Sequence, residues 1–199
     1  MINTLEFPLN FVFKIATFSN DFTVTDVNNQ VITYVKQKMF KFIDEISVFD
    51  SEAQFDKLYT IKANKWLDFS TTYTFTNNQG LEIGRVARKG WKSIWKAHYE
   101  IYDEKEVQDL LIQEKNPWTK VFDSLLGEVP ILNFFTGYLF NPSYIVKRPD
   151  GTEVAMLTKL PSFFGRRFLV NKLNDLEKGE AERIVLGLMM MVLLERQRG

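Results

Sequence analysis

Few groups in this sequence could do covalent chemistry. His98 is the single histidine, and cysteine is absent. Without cysteine there are no disulfides, thiol nucleophiles or thiolate metal ligands. One histidine cannot build a multi-histidine metal centre, and any His-based triad would depend on His98 alone. No Gly-x-x-x-x-Gly-Lys phosphate loop and no Gly-x-Ser-x-Gly elbow occurs. Gly80-Leu81-Glu82-Ile83-Gly84 falls within a strand pattern, and Asp103-Glu104-Lys105-Glu106 lacks the alternating ligands and central glycine of a calcium loop. The expectation is therefore a protein that binds and does not catalyse, with no catalytic residue, metal or cofactor.

The charged residues suit anion binding better. Arg85, Arg88, Lys89, Lys92 and Lys96 lie within twelve residues that contain no acid and include Trp91 and Trp95. The next stretch reverses sign with Glu100, Asp103, Glu104, Glu106 and Asp109. Smaller basic clusters are Lys36-Lys38-Lys41, and Arg166-Arg167 beside Phe163-Phe164. Cations attract anionic lipid headgroups, and interleaved tryptophans insert at the interface. The same mixture suits nucleic-acid backbones and stacked bases. However, 25 Lys+Arg against 25 Asp+Glu gives a neutral chain, which argues against a chain-wide nucleic-acid binder and leaves only local patches. The plainer alternative is a solvated loop with its tryptophans turned inward. The candidate headgroup set is Arg85, Arg88, Lys89, Lys92, Lys96, Arg166 and Arg167.

At 199 residues, with 45% hydrophobic and 25% charged residues, the chain fits one globular domain. Turn markers at Asn28, Ser51, Asn78, Glu104, Asp150 and Asn174 are each flanked by runs of Val, Ile, Thr, Tyr and Phe, residues that suit pleated, half-buried strands. Their gaps are 23, 27, 26, 46 and 24 residues, which is one hairpin unit repeated with a single insertion near 116–141. Six hairpins predict about twelve strands. Inside the insertion, Trp118, Val121, Phe122, Leu125 and Leu126 have the spacing of a short amphipathic helix.

The run Ile184–Leu194 is apolar on all sides, with an acidic start and a basic end that suit a helix dipole. At eleven residues it is too short to span a bilayer, which takes about 20. Such a helix must be surrounded. A barrel of about twelve strands is wider than its own side chains can fill, so it has room for one helix. Burying the run contributes on the order of 15–30 kcal/mol gross. Gly187 marks the point where the helix backbone should approach the wall. The expected fold is a mainly β, closed barrel of about twelve antiparallel strands around a buried C-terminal helix at 179–196, in a single domain over 1–199.

The repeated unit runs strand, Asp/Asn/Gly turn, return strand, basic connection. It is seen in Asp21-Phe22-Thr23-Val24-Thr25-Asp26 with Tyr34-Val35-Lys36-Gln37-Lys38, in Tyr99-Glu100-Ile101-Tyr102-Asp103, and in Tyr144-Ile145-Val146-Lys147-Arg148-Pro149-Asp150-Gly151 with Leu157-Thr158-Lys159. With its terminal apolar helix it resembles the tubby C-terminal-like superfamily, in its LURP-one-related and phospholipid-scramblase-like branch. The resemblance implies a twelve-stranded barrel around a central helix and points to phosphoinositide or other anionic lipid as ligand. Other partner readings are a protein docked on the aromatic insertion Trp118–Phe140 and, last, a small-molecule carrier or enzyme. No signal peptide is read at the N-terminus, so a cytoplasmic location, peripheral to a membrane, is expected.

Overall fold

The structure, a computed structural model, describes residues 5–14, 20–37, 45–64, 71–88, 97–115, 142–161 and 167–196. Twelve strands follow in order: β1 Leu9–Phe13, β2 Phe22–Thr25, β3 Val31–Gln37, β4 Glu45–Phe49, β5 Lys57–Asn64, β6 Thr72–Asn77, β7 Glu82–Arg88, β8 His98–Tyr102, β9 Gln108–Glu114, β10 Ser143–Lys147, β11 Glu153–Leu160 and β12 Arg167–Lys172. Each pairs antiparallel with its sequence neighbours, and β12 closes on β1 with Phe11 opposite Phe168. Among the described residues, the closed barrel leaves no open sheet edge.

Five hairpins are built alike. In each, a backbone N–H donates to the carbonyl three residues back: Asn29 to Asp26, Gln54 to Ser51, Gly80 to Asn77, Glu106 to Asp103 and Gly151 to Arg148. The donor residue takes a positive φ, between 59° and 90°. The strand register slips beside the same turn in every case, as at Val24/Thr25 and Phe75/Thr76. This is a type I turn closed by a left-handed residue and a bulge. Asp26, Asn77 and Asp103 reinforce it, each accepting two backbone N–H groups on one side-chain oxygen. The asparagines and aspartates of the repeat are therefore the turn's own hydrogen-bond partners.

The expected sixth hairpin does not form. After β12 the chain runs through Leu173-Asn174-Asp175-Leu176-Glu177-Lys178-Gly179 into helix α1, Glu180–Arg196. This stretch has no β-branched residue to favour a strand. The twelfth strand is instead β1, which pairs between β12 and β2.

Helix α1 threads the barrel, with Ile184 to Leu194 buried throughout. The inward residues of the wall surround it, among them Leu9, Phe11, Phe75, Tyr99, Ile101, Ile112 and Val170. A Cβ on Gly187 would lie 2.6 Å from Ile101 Cδ1, so the helix backbone does press on the wall there. Polar pins hold both ends of α1. Arg148 grips Glu180 through Nε at 2.8 Å and Nη2 at 2.7 Å, Arg183 Nε donates to Asp109 at 2.8 Å, and Tyr59 donates to Glu182 at 2.8 Å. At the far end Tyr99 donates to Glu195 at 2.7 Å.

Antiparallel order gives the barrel two unlike ends. The five tight hairpins and the segment leading into α1 share one, the turn end. The links β1–β2, β3–β4, β5–β6, β7–β8, β9–β10 and β11–β12 all join strands at the other, the link end, toward which the C-terminus of α1 points. The aromatic insertion belongs to the β9–β10 link. That insertion and its expected helix at Trp118–Leu126 lie outside the described residues.

Candidate anion-binding rim

Strand parity separates the candidate arginines. On β7, Gly84, Val86 and Arg88 share one face, and Arg85 lies on the other. Val86 is fully buried against the interior and stands opposite Ile101, so Arg88, opposite Tyr99, occupies the inward register at the link end. One of its guanidinium nitrogens is buried. It joins a polar cap over the C-terminus of α1, formed by Tyr99, Tyr144, Glu114 and Glu195. Burial pushes the Tyr99 hydroxyl far above the usual tyrosine range, and the Glu195 carboxylate adds to this, with Arg88 pulling weakly the other way. Burial, then Glu195 and Glu114, raise Tyr144 in the same direction. Both hydroxyls therefore stay protonated, and that of Tyr99 donates to Glu195.

Arg85 faces outward, near the turn end. Its guanidinium lies 5.2 Å from the Tyr102 ring centre and pairs with Glu106 at 2.9 Å. Tyr102 in turn donates to Glu100, and His98 Nε2 lies 3.6 Å from the same carboxylate. His98 is thus part of an outer-wall row with Glu100, Tyr102 and Arg85.

Arg167, the first residue of β12, is exposed at the link end. It lies five strands round the wall from Arg88, so the two flank the barrel mouth from different sides. Lys89, Lys92, Lys96 and Arg166 lie outside the described residues. The structure thus puts Arg88 and Arg167 at one rim and sets Arg85 apart.

Lys159 was missed by sequence reasoning. It stands opposite Phe168, two residues beyond the buried Leu157, and so takes an inward register position at the same mouth. The period of two along β11 was the available signal. Lys14, next to the end of β1, is engaged elsewhere: its Nζ donates to Glu52 at 2.8 Å and lies 5.0 Å from the Tyr34 ring centre. Among the described residues, no group of three or more His, Asp or Glu could hold a metal ion. Among them, too, no helix is long and apolar enough to cross a membrane.

No curated protein matches the chain. A solved X-ray structure of an Arabidopsis thaliana protein superposes with a TM-score of 0.51 at 12% identity, covering 98% of this chain and 94% of that one, a likeness of fold. The sequence model of the LURP-one-related family matches residues 11–132, well over half the chain, from within β1 to beyond β9. The chain belongs to the LURP-one-related family.

Proposed function

We propose that the protein is a non-enzymatic module that binds anionic phospholipid headgroups through the link end of its barrel, as a peripheral protein on a cytoplasmic membrane surface. The observation that carries this reading is that the strand ends joined by the six links all share one rim. In sequence, these links (14–21, 38–44, 65–71, 89–97, 115–142 and 161–166) hold ten Lys and Arg against five Asp and Glu, together with fifteen aromatics that include all four tryptophans. The connections of the turn end (26–30, 50–56, 78–81, 103–107, 148–152 and 173–179) hold ten acids against three bases, and Phe55 as their one aromatic. A neutral chain is thus largely divided along the barrel axis, the crossing point being Lys14 of the first link, which pairs with Glu52 of the β4–β5 turn. A basic, aromatic end is attracted to an anionic surface and an acidic end is repelled, so the division also orients the molecule. Each cation near such a surface contributes about 1 kcal/mol, so a handful suffices for reversible binding. The headgroup set is Arg88, Arg167, Lys89, Lys92, Lys96 and Arg166; Arg85, paired with Glu106 on the outer wall, falls outside it. A carrier would need an empty interior, and α1 occupies it.

Flotation with vesicles tests the reading. Binding should rise with the fraction of phosphatidylserine or phosphoinositide, fall with added salt, and drop at least about tenfold in Arg167→Glu combined with Lys92→Glu. Equal flotation with neutral and anionic vesicles would overturn it.

A further inference from the structure

The opposite end of the barrel has chemistry of its own. Among the described residues, the large hydrophobics left exposed are Val27, Val31, Phe55, Leu81, Val107 and Leu173. Every one lies in a turn-end connection or, for Val31, at the first residue beyond one. They expose between 41% and 84% of their surface. A cleft of about 430 Å³ opens at the same end of the barrel, between the β6–β7 turn and the segment leading into α1, with Leu81 and Leu173 near it in sequence but not in its lining. Its floor is Leu58, Ile83, Leu176 and Ala181, and Glu177 and Glu182 stand on its wall. Leu58, Ile83 and Leu176 are backed by the barrel core, so the floor is firm. Glu82 lies beside Ile83 and is exposed. Lys178 is the one base in the cleft wall.

We propose that this cleft and the aliphatic turns around it dock a basic segment of a partner protein, with one large aliphatic side chain of that segment seated on Leu58, Ile83 and Leu176. Charge complementarity selects the occupant: the turn connections hold ten acids against three bases, and although Glu52, Glu104, Glu106 and Asp175 are paired with bases elsewhere on the chain, the remainder, with the exposed Glu82 beside the cleft, still attract lysine and arginine. The spread of apolar residues beyond the cleft, over several hairpins, favours a chain over a small molecule. Together with the lipid reading of the link end, this makes the barrel a two-ended adaptor, yet the docking site stands without that reading.

The test uses the full-length protein and a synthetic leucine–lysine peptide, followed by amide chemical shifts. The peptide should shift Asn78, Leu81, Leu176 and Lys178. Affinity should fall at least about tenfold in the Glu82→Lys, Glu177→Lys double variant, and fall likewise when the peptide's leucines are replaced by serine. The exposed Asp150→Asn variant, on the β10–β11 hairpin that supplies no residue to the cleft, should bind nearly as wild type. Equal loss in both variants, or no dependence on the peptide's leucines, would reduce the effect to diffuse charge attraction and overturn the proposal. Self-association of the protein alone, abolished by the same double variant, would assign the surface to a second copy and overturn it too.

Discussion

Adding one methyl group at Gly187 tests whether the helix lies against the wall. In an open helix, Gly→Ala stabilises by about 1 kcal/mol. Here the new Cβ would sit 2.6 Å from Ile101 Cδ1 and 3.3 Å from Cγ1, with Ile112 Cδ1 at 3.7 Å. Overpacking of this kind costs about 1–3 kcal/mol. The overpacking outweighs the helix propensity, so Gly187→Ala should destabilise by about 1 kcal/mol. Ile101→Val removes the Cδ1 atom and alone should cost about 1 kcal/mol, since Ile101 is fully buried. Together the two changes relieve each other. The double variant should be no less stable than Ile101→Val alone, a coupling of about 1–2 kcal/mol. Urea unfolding followed by circular dichroism measures all four proteins. A Gly187→Ala variant that is more stable by about 1 kcal/mol, whichever residue occupies position 101, would refute the contact and the placement of α1 behind it.

Two further outcomes follow from the same packing. Gly84 has φ 144°, and a Cβ there would lie 2.5 Å from the Tyr102 carbonyl oxygen and 2.7 Å from Arg183 Cδ. Backbone cannot yield as a side-chain tip can, so Gly84→Ala should cost at least about 3 kcal/mol in urea unfolding, well beyond Gly187→Ala. The second concerns acid. Burial alone would raise the Glu180 carboxyl, but Arg148, the Glu177 N–H and Arg183 outweigh it and hold it below the usual glutamate range. Its stabilising contribution is therefore complete above the unfolded glutamate value, about 4.3, and is lost as pH falls through the folded value. Asp109 runs the other way: burial raises it despite Arg183, so it favours the fold as pH falls. Arg148→Met removes the first effect and keeps the second. The melting-temperature gap between wild type and this variant should therefore be wide at pH 7 and narrow at pH 3; a gap independent of pH would contradict the clamp.

Much of the architecture was legible because it repeats. Asp26, Asn77 and Asp103 each cap their own turn, so the Asp/Asn spacing reports a real hydrogen-bonded device. The greasy run Ile184–Leu194, bracketed by charge, could only be an enclosed helix in a chain of hairpins. Leu9–Phe13 was missed as a strand because no turn follows it directly; its partners are β12, at the far end of the chain, and β2. Asn174 was read as a hairpin turn because its local composition matches the others, and only the absence of a return strand distinguishes it. For the candidate rim, Arg85 and Arg88 looked like one patch by proximity. Three residues apart on a strand, they face opposite sides, and the period of two could have told them apart. That the basic links share an end, and the acidic turns the other, depends on which strands pair, and long-range pairing leaves no local trace in the sequence.

The most direct test asks which end of the barrel meets lipid. Because the chain has no cysteine, single cysteines can be placed at Thr71, exposed at the link end, and at Asn78, exposed at the turn end, and each labelled with an environment-sensitive fluorophore. On phosphatidylserine vesicles containing a lipid-borne quencher, the label at Thr71 should be quenched and the label at Asn78 should keep its solution signal. Quenching at Asn78 instead, or at neither site, would contradict the account.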